Sequence, residues 1–362
     1  MSTSAPLLVS RRISSLAPPS AAWLARARTH LDGLTKPIGS LGRLEDIAAQ
    51  MVSIRQERFV EPLRKAVYVF AADHGVTAEG VSAYPSEVTA QMVRNFLSGG
   101  AAISVLAKQH CVEMHIVDVG VDADFEGLSG LLHHKVRRGT RNLLHEPAMS
   151  ESEVAQALKV GFTLAAEAKR NGCSLLAIGE MGIGNTSAAS AIAALLTNKP
   201  VALVTGTGTG LTPEKHAHKQ NVIEAAIARH FPFTDEAAPP DPLDILRCAG
   251  GLEIAAMTGM ILGAARHGIA IAIDGFISTS AAAIAFAIAP AIRGYLFAGH
   301  QSEEPGHQIL LDYIGLQPIL TLGMRLGEGS GAVLAMPLIE SAMALYNGMA
   351  TFSSASISVA RQ

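Results

Sequence analysis

The sequence of 362 residues has few charged side chains, few aromatic side chains and little cysteine. Charged residues make up 16% and hydrophobic residues 49%, which excludes disorder over most of the chain. The cysteines, Cys111, Cys173 and Cys248, are scattered, so no disulfide framework is indicated and we expect a reducing compartment. The net charge is −3 and no block of Lys and Arg occurs, which argues against a nucleic-acid partner.

Long uninterrupted apolar runs are absent as well. The nearest are residues 254–273, which contain Arg266 and His267, and residues 277–292, which end near Pro290. A membrane-spanning helix needs about 20 apolar residues without such breaks. We therefore predict buried helices of a cytoplasmic protein and no membrane partner.

The first 28 residues are rich in Ser, Ala, Pro and Arg and contain no acid. This composition loosely resembles a transit peptide, and Arg11-Arg12 loosely resembles a twin-arginine signal, although no long apolar region follows. The simpler interpretation, which we adopt, is a disordered leader ahead of the first helix.

A repeated pattern in the middle of the chain predicts the fold. Short apolar runs, each followed by a loop with Gly or Asp, occur at residues 67–72, 114–117, 175–178, 201–204 and 269–273. Runs without alternation are typical of strands covered on both faces, and helical patterns separate them. The sequence thus predicts an α/β fold with a doubly wound, mostly parallel, Rossmann-like sheet, whose functional loops gather at the carboxyl ends of the strands.

The two ends of the chain differ from its middle, because both are mainly helical in pattern. We expect residues 1–64 and 310–362 to pack together as a smaller helical domain, with residues 65–309 as the large α/β domain. The Pro-rich span at residues 231–242 is interpreted as a surface connection.

Two glycine-rich loops are candidates for phosphate binding. One runs from Gly182 through Gly184 to Asn185 and Thr186, and the other contains Gly206 and Gly208. Backbone N–H groups at the start of a helix bind phosphate, but a tight turn without a ligand explains either loop equally well. The glycine spacing does not fit the dinucleotide fingerprint and there is no P-loop, so a mononucleotide is favoured.

Two carboxylates lie among glycines and are candidates for proton transfer. Glu328 lies in a Gly-Glu-Gly loop before an apolar helix, and Glu180 follows an apolar run. An apolar neighbourhood raises the pKa of a carboxyl group toward that of a useful base. The alternative is a structural acid at a helix start. His74 and His300 are placed near the same loops, and no residues have the spacing of a metal site, so neither a metal nor a cofactor is expected.

Six motifs resemble those of nicotinate-nucleotide–dimethylbenzimidazole phosphoribosyltransferases. They are TKPIGSLGRLE at residues 35–45, ADHGV at 72–76, GEMGIGNT at 179–186, DGF at 274–276, HQSE at 300–303 and the loop around Glu328. Each motif is weakly specific alone, but the six in the same order are highly specific. The resemblance covers the chain from about residue 36 to about residue 342.

The resemblance implies a homodimer in which Glu328 is the general base and Glu180 is a second catalytic acid. The implied nucleotide-binding residues are Gly182, Gly184, Asn185, Thr186, Gly206, Gly208, Lys219, Asp274 and Ser302. The implied base-binding residues are Tyr84, Pro85, Met181 and Leu326.

The implied reaction moves the 5-phosphoribosyl group from nicotinate mononucleotide to 5,6-dimethylbenzimidazole. It yields α-ribazole 5′-phosphate and nicotinate, with inversion at C1′. Three alternatives remain from the residues alone: another acceptor such as adenine or a phenolic base, a nucleotide-binding regulator without catalysis, and a dinucleotide-dependent oxidoreductase. The glycine spacing disfavours the last of these, and the retention of both acids disfavours the regulator.

Overall fold

A computed structural model describes residues 16–57, 62–208, 210–232 and 240–358. Its central feature is a single sheet of seven strands within these residues. The strands are β1 (Lys65–Ala72), β2 (Glu113–Gly120), β3 (Leu131–His133), β4 (Leu175–Met181), β5 (Ala270–Ile273), β6 (Leu296–Ser302) and β7 (Pro318–Met324). Their order is β3-β2-β1-β4-β5-β6-β7, and every neighbouring pair is parallel.

Helices connect the strands and cover the sheet. In chain order they are α1 (Ala21–Asp32), α2 (Arg43–Arg55), α3 (Glu87–Leu97), α4 (Ala102–Gln109), α5 (Glu151–Arg170), α6 (Asn185–Thr197), α7 (Val201–Val204), α8 (Pro213–His230), α9 (Pro242–Ala249), α10 (Leu252–Arg266), α11 (Phe276–Ile288), α12 (Pro305–Ile314) and α13 (Ser330–Gly348). Local sequence explains several starts: Ser150 and Glu153 form a capping box for α5, and Pro213 begins α8 after the N-cap Thr212.

The predicted α/β class with a doubly wound parallel sheet is confirmed. Strands β4 and β5 are buried almost throughout, as expected of strands with helices on both faces. The order of the strands reverses between β1 and β4, because the chain builds outward from β1 in one direction and then from β4 in the other. In such sheets a crevice forms at the carboxyl ends beside this reversal.

One of the predicted strands is wrong. Residues 201–204 form the short helix α7, not a strand. Val201 and Val204 are buried while Leu203 is 57% exposed, which is the spacing of a helical turn and not the alternation of a strand. A four-residue apolar run is too short for periodicity to distinguish the two, and Pro200 directly before it suits a helix start.

Sequence patterns also missed three strands, β3, β6 and β7. The last lies in the segment expected to be mainly helical, and it forms the exposed edge of the sheet beside β6. The division of the chain at residues 64 and 309 stays a prediction, although β7 lies beyond residue 309 and belongs to the same sheet.

The two ends of the chain contact each other. Leu34 pairs with Thr351 in an isolated bridge, and the N–H of Thr35 donates to the carbonyl of Ala350 at 3.0 Å. Helix α1 already begins at Ala21, so the predicted disordered leader is wrong for residues 21–28. Residues 1–15 of that leader, and residues 233–239 of the predicted surface connection, lie outside the described residues.

The apolar segment after residue 251 forms α10, which is buried along almost its entire length against α5. Gly259 makes this approach feasible, because a Cβ there would collide with the backbone of Leu158. Among the described residues, no helix is both long and apolar enough to cross a membrane.

Candidate active site

A cleft with a volume of about 470 Å³ opens at the carboxyl ends of β4, β5 and β6. Its walls include most of the residues expected from sequence. Those that line it are Tyr84, Glu180, Met181, Gly182, Asn185, Thr186, Gly208, Asp274, Ser302, Leu326 and Glu328. The predicted gathering of loops at one edge of the sheet therefore occurs, at the place where the strand order reverses.

Glu328 lies at the edge of this cleft in a strained loop. Its φ is +65°, a left-handed conformation that is unusual for a residue with a side chain, and glycines on both sides also have positive φ. The side chain is 7% exposed, and its Oε2 has no hydrogen-bond partner among the described residues. Burial raises the pKa of Glu328, and the nearby carboxylate of Asp274 adds to the rise.

Asp274 fixes the backbone of this loop. Its Oδ2 accepts from the N–H of Gly329 at 3.1 Å, and its Oδ1 accepts from the N–H groups of Gly331 at 2.6 Å and Ala332 at 3.1 Å. A carboxylate at the N-terminus of α13 satisfies donors that the helix leaves unpaired. Asp274 therefore positions the Glu328 loop, in addition to facing the cleft.

Gly179 on β4 allows this loop to lie against the sheet. A Cβ on Gly179 would lie 2.5 Å from the backbone nitrogen of Gly329, and it would collide with the carbonyl group of Glu328. Only glycine accommodates this close approach. The strand and the loop are thus matched to each other although they are far apart in the sequence.

Glu180 is a second buried acid that faces the cleft and has a raised pKa. Burial raises its pKa to about 8, and the carboxylates of Glu253, Asp274 and Glu328 contribute to the rise. The amide of Asn185 donates to Oε2 of Glu180, and this hydrogen bond lowers the pKa against the effect of burial. At neutral pH this side chain is largely protonated, and a small change in its surroundings changes its charge.

The phosphate-binding candidates lie at the start of α6. Gly184 precedes this helix with φ +95°, and Asn185 and Thr186 form its first turn on the cleft wall. Nζ of Lys219 donates to Oγ1 of Thr186 at 2.8 Å from behind that wall. Burial lowers the pKa of Lys219 to about 8. A helix start with a buried cation behind it suits a phosphate.

Ser302 lies at the end of β6 in a network of buried side chains. Its N–H donates to Nδ1 of His307 at 2.8 Å, and burial lowers the pKa of His307 to about 3. Next to it, His300 lines the cleft, and neither ring nitrogen has a hydrogen-bond partner among the described residues. Glu304 lines the cleft nearby, and its Oε2 is also unpartnered within the described residues.

The opposite wall is apolar and suits a flat ring. Met181 and Leu326 line it as predicted, together with Tyr84, which is 54% exposed. Val88 and Met92 from α3 complete it, and sequence reasoning missed both. The only signal for them is their i, i+4 spacing on an amphipathic helix, which equally describes a core contact.

Four expected residues do not line the cleft: Pro85, Gly184, Gly206 and Lys219. Pro85 is exposed and precedes α3, while Gly206 packs against the side chain of Glu304. The second glycine-rich loop follows the short helix α7 and not a strand, so its predicted setting at a strand end is wrong, although Gly208 reaches the cleft.

Arg325 is a further cleft residue that sequence reasoning missed. It lies directly after β7, and its guanidinium donates to the carbonyl of Gly208 at 3.1 Å. Because the strand before it was expected to be helical, nothing indicated that this cation reaches the cleft. It adds a second positive charge to the side where Lys219 lies.

A Rossmann-like sheet with a helix start backed by a cation and two buried acids beside one cleft is the arrangement expected of a group-transfer enzyme that acts on a nucleotide. Comparison with known proteins gives the family. The chain matches a family model described as phosphoribosyltransferase over residues 16–357.

Relatives named nicotinate-nucleotide–dimethylbenzimidazole phosphoribosyltransferase match nearly the whole chain. The protein of Geobacter sulfurreducens is 50% identical over 97% of this chain and 98% of its own length. That of Chloroflexus aggregans is 48% identical over 97% and 98%. A crystal structure of the enzyme so named from Thermus thermophilus is 44% identical, with a TM-score of 0.87 over 94% of this chain and 100% of that one.

This chain therefore belongs to the nicotinate-nucleotide–dimethylbenzimidazole phosphoribosyltransferase family. It is a glycosyltransferase of the pentosyltransferase type, and the resemblance inferred from six motifs is confirmed.

Proposed function

We propose that the enzyme transfers the 5-phosphoribosyl group of nicotinate mononucleotide to 5,6-dimethylbenzimidazole, with Glu328 as the general base. The observation that carries the role of Glu328 is its setting. The carboxylate is buried at the edge of the cleft, its Oε2 has no partner among the described residues, and its pKa is raised. A base must have an unoccupied oxygen and an affinity for a proton.

The chemistry requires one base. The donor carries a pyridinium ring on C1′, and this leaving group departs as neutral pyridine nitrogen with the electrons of the C1′–N bond. A ring nitrogen of the benzimidazole supplies the electron pair of the new bond to C1′. The other ring nitrogen then loses its proton to Oε2 of Glu328. No acid is needed for the leaving group.

Glu180 is proposed to act on the sugar. As the bond to nicotinate breaks, positive charge develops at the sugar ring, and a carboxylate nearby stabilises it. The position of Glu180 on the cleft wall supports this role, and its pKa of about 8 implies that the ionised form grows as the pH rises. Attack from the face opposite nicotinate inverts C1′ and gives the α-nucleotide.

The nucleotide phosphate is proposed to bind at the start of α6, against Gly182, Gly184, Asn185 and Thr186, with Lys219 behind them. The contact between Lys219 and Thr186 supports this assignment, since the buried cation then lies directly behind a residue that faces the anion. Gly206, Gly208, Asp274 and Ser302 would complete the nucleotide site. The aromatic acceptor would lie against Tyr84, Pro85, Met181 and Leu326.

A cytoplasmic homodimer is part of the proposal. The three cysteines are unpaired, which suits a reducing compartment. Val105 and Leu322 are more than half exposed, as apolar residues at a subunit interface would be in a single chain. Light scattering coupled to size-exclusion chromatography tests this point, and a monomer at micromolar concentration would contradict it.

The central test is the variant Glu328→Gln, which keeps the shape of the side chain and removes its basicity. We expect turnover to fall by about 10²–10⁴-fold, the usual contribution of a general base. The dissociation constant of nicotinate mononucleotide, measured by calorimetry, should change by less than about threefold, a span of under 1 kcal/mol. Glu224→Gln, an exposed change on α8, is the matched control.

The product is assayed as released nicotinate, and its anomeric configuration is read by NMR. Near-normal turnover of Glu328→Gln would remove Glu328 from the role of base. A β-anomeric product would contradict inversion, and preferential use of adenine or a phenol in a mixture of acceptors would change the proposed acceptor.

A further inference from the structure

A buried ion pair lies directly behind the glycine loop of the cleft. Nε2 of His74 and Oε1 of Glu253 are 2.7 Å apart, and neither side chain has any exposed surface. His74 follows β1, and Glu253 lies in the first turn of α10. Neither residue lines the cleft, so the pair can affect the reaction only through other residues.

The imidazole ring of His74 fills the space between two loops. A Cβ on Gly182 would lie 3.4 Å from Nε2 of His74, and a Cβ on Gly184 would lie 3.3 Å from Cβ of His74. On the other side the ring contacts Gly251, where a Cβ would collide with it. The ring is therefore packed between the cleft loop and the start of α10, where it supports the loop together with Ala72 and Thr77.

The pair is charged as well as buried. Burial works against a charged His74, but Glu253 together with Asp73 raises the pKa of the ring, which favours an imidazolium. Nδ1 of His74 and Oε2 of Glu253 have no further hydrogen-bond partner within the described residues. The ring and the carboxylate are thus joined by the one hydrogen bond between Nε2 and Oε1.

We propose that the His74–Glu253 pair positions the nucleotide-binding loop: the carboxylate holds the ring, and the ring holds residues 182–184 in place for the nucleotide. This inference rests on the nucleotide-binding role of the loop proposed above. A buried pair with a purely structural role would change the stability of the fold and leave the nucleotide affinity of the folded protein unaltered.

Two variants of the full-length protein test the inference, and the measurement does not depend on turnover. His74→Gln should weaken the binding of nicotinate mononucleotide at least tenfold in calorimetry, because the loop loses the ring behind it. Glu253→Gln should weaken the same binding, because the ring loses the carboxylate that holds it.

Two more variants keep the test decisive if a single change unfolds the protein. Glu253→Asp retains the charge that pairs with the ring and should bind the nucleotide more tightly than Glu253→Gln. The double variant His74→Gln with Glu253→Gln replaces the ion pair by two neutral amides, leaves no single charge buried, and should still bind the nucleotide at least tenfold more weakly than the wild type. Circular dichroism shows that each variant used is folded.

The matched control is Glu340→Gln, which removes the partner of Lys65 in an ion pair of 2.7 Å at the opposite end of β1. It should leave the nucleotide affinity unchanged. Unchanged affinity in the folded His74 and Glu253 variants would overturn the inference. Failure of the wild-type protein to bind nicotinate mononucleotide would instead overturn the proposed function.

Discussion

Buried ionisable side chains concentrate at the carboxyl end of the sheet. Glu180, Asp274 and Glu328 all have a raised pKa, and burial is the first cause in each case. Burying carboxylates together is unfavourable for folding, since each loses hydration and repels the others. Such arrangements persist where the chemistry requires them, and they make the site a source of instability in the free enzyme.

Glu180 provides a direct test of this cost. A carboxyl group whose pKa rises to about 8 on folding keeps a proton that the unfolded chain releases above about 4.5. The free energy of unfolding therefore falls as the pH rises from about 4.5 to about 8. At about 1.4 kcal/mol per unit of pKa, the loss reaches a few kcal/mol.

Glu180→Gln removes that loss, so its midpoint of thermal unfolding should exceed that of the wild type by more at pH 8 than at pH 5. Scanning calorimetry at both values measures the difference, with Glu224→Gln as an exposed control. A gain that is equal at the two pH values would show that Glu180 titrates normally.

Lys219 is the second buried charge with a measurable consequence. Lys219→Met keeps the length of the side chain and removes the cation behind Thr186. A charge-assisted hydrogen bond is worth about 1.5–3 kcal/mol, so the affinity for nicotinate mononucleotide should fall by about 10–100-fold. Lys215→Met, an exposed change on the same helix, should leave the affinity unaltered. Equal affinities for both variants would show that Lys219 does not serve the phosphate.

At the scale of elements, the site depends on how closely β4 and the Glu328 loop approach each other. Gly179 lies on β4 against the backbone of residues 328 and 329, and Asp274 after β5 holds the following N–H groups. The base is therefore placed by two strands and one helix start, and not by its own loop alone. Preorganisation of this kind keeps a catalytic group at its productive distance.

Gly179→Ala tests that dependence. Its methyl group would collide with the carbonyl of Glu328, so the loop must move by a few tenths of an ångström or more. We expect turnover to fall at least tenfold while the sheet stays folded, because a small displacement of a positioned group is costly. Gly348→Ala, where a Cβ meets nothing within 4 Å, is the control. Steady-state kinetics measures the turnover, and circular dichroism shows whether the variant is folded. Normal turnover of a folded Gly179 variant would contradict the expectation.

At the scale of the whole molecule, segments near the two ends of the chain contact each other. Helices α1 and α2 pack near α13, and the backbone of residues 33–35 pairs with that of residues 350–352. The N–H of Phe352, for example, donates to the carbonyl of Gly33 at 3.1 Å. The segment after α13 and the first helices thus stabilise each other.

Removal of residues 349–362 should therefore loosen the start of the chain. Amide hydrogen exchange in α1 should accelerate at least tenfold, while exchange in β1 and β4 stays slow, because their partners are unchanged. A chain that ends at residue 358 is the control, since it retains the pairing with residues 33–35. Unchanged exchange in α1 of the shorter chain would show that its contacts with α2 and with Tyr346 of α13 are enough to hold α1.

The sequence by itself determined the α/β class, four of the strands and half of the residues that line the cleft. These features depend on local pattern: unbroken apolar runs, glycine loops before helices and acids between glycines. Such patterns act over a few residues, so they are visible without the fold. The motif resemblance added the family, because six short patterns in one order are specific.

The tertiary structure alone decided which distant residues meet. The bond between His74 and Glu253 spans 179 residues, and the bond from Gly329 to Asp274 spans 55. Arg325 reaches the cleft only because β7 joins the sheet, and residues 201–204 form a helix because of what packs around them. Burial, charge coupling and close backbone approach arise between elements, and for that reason no local pattern in the sequence specifies them.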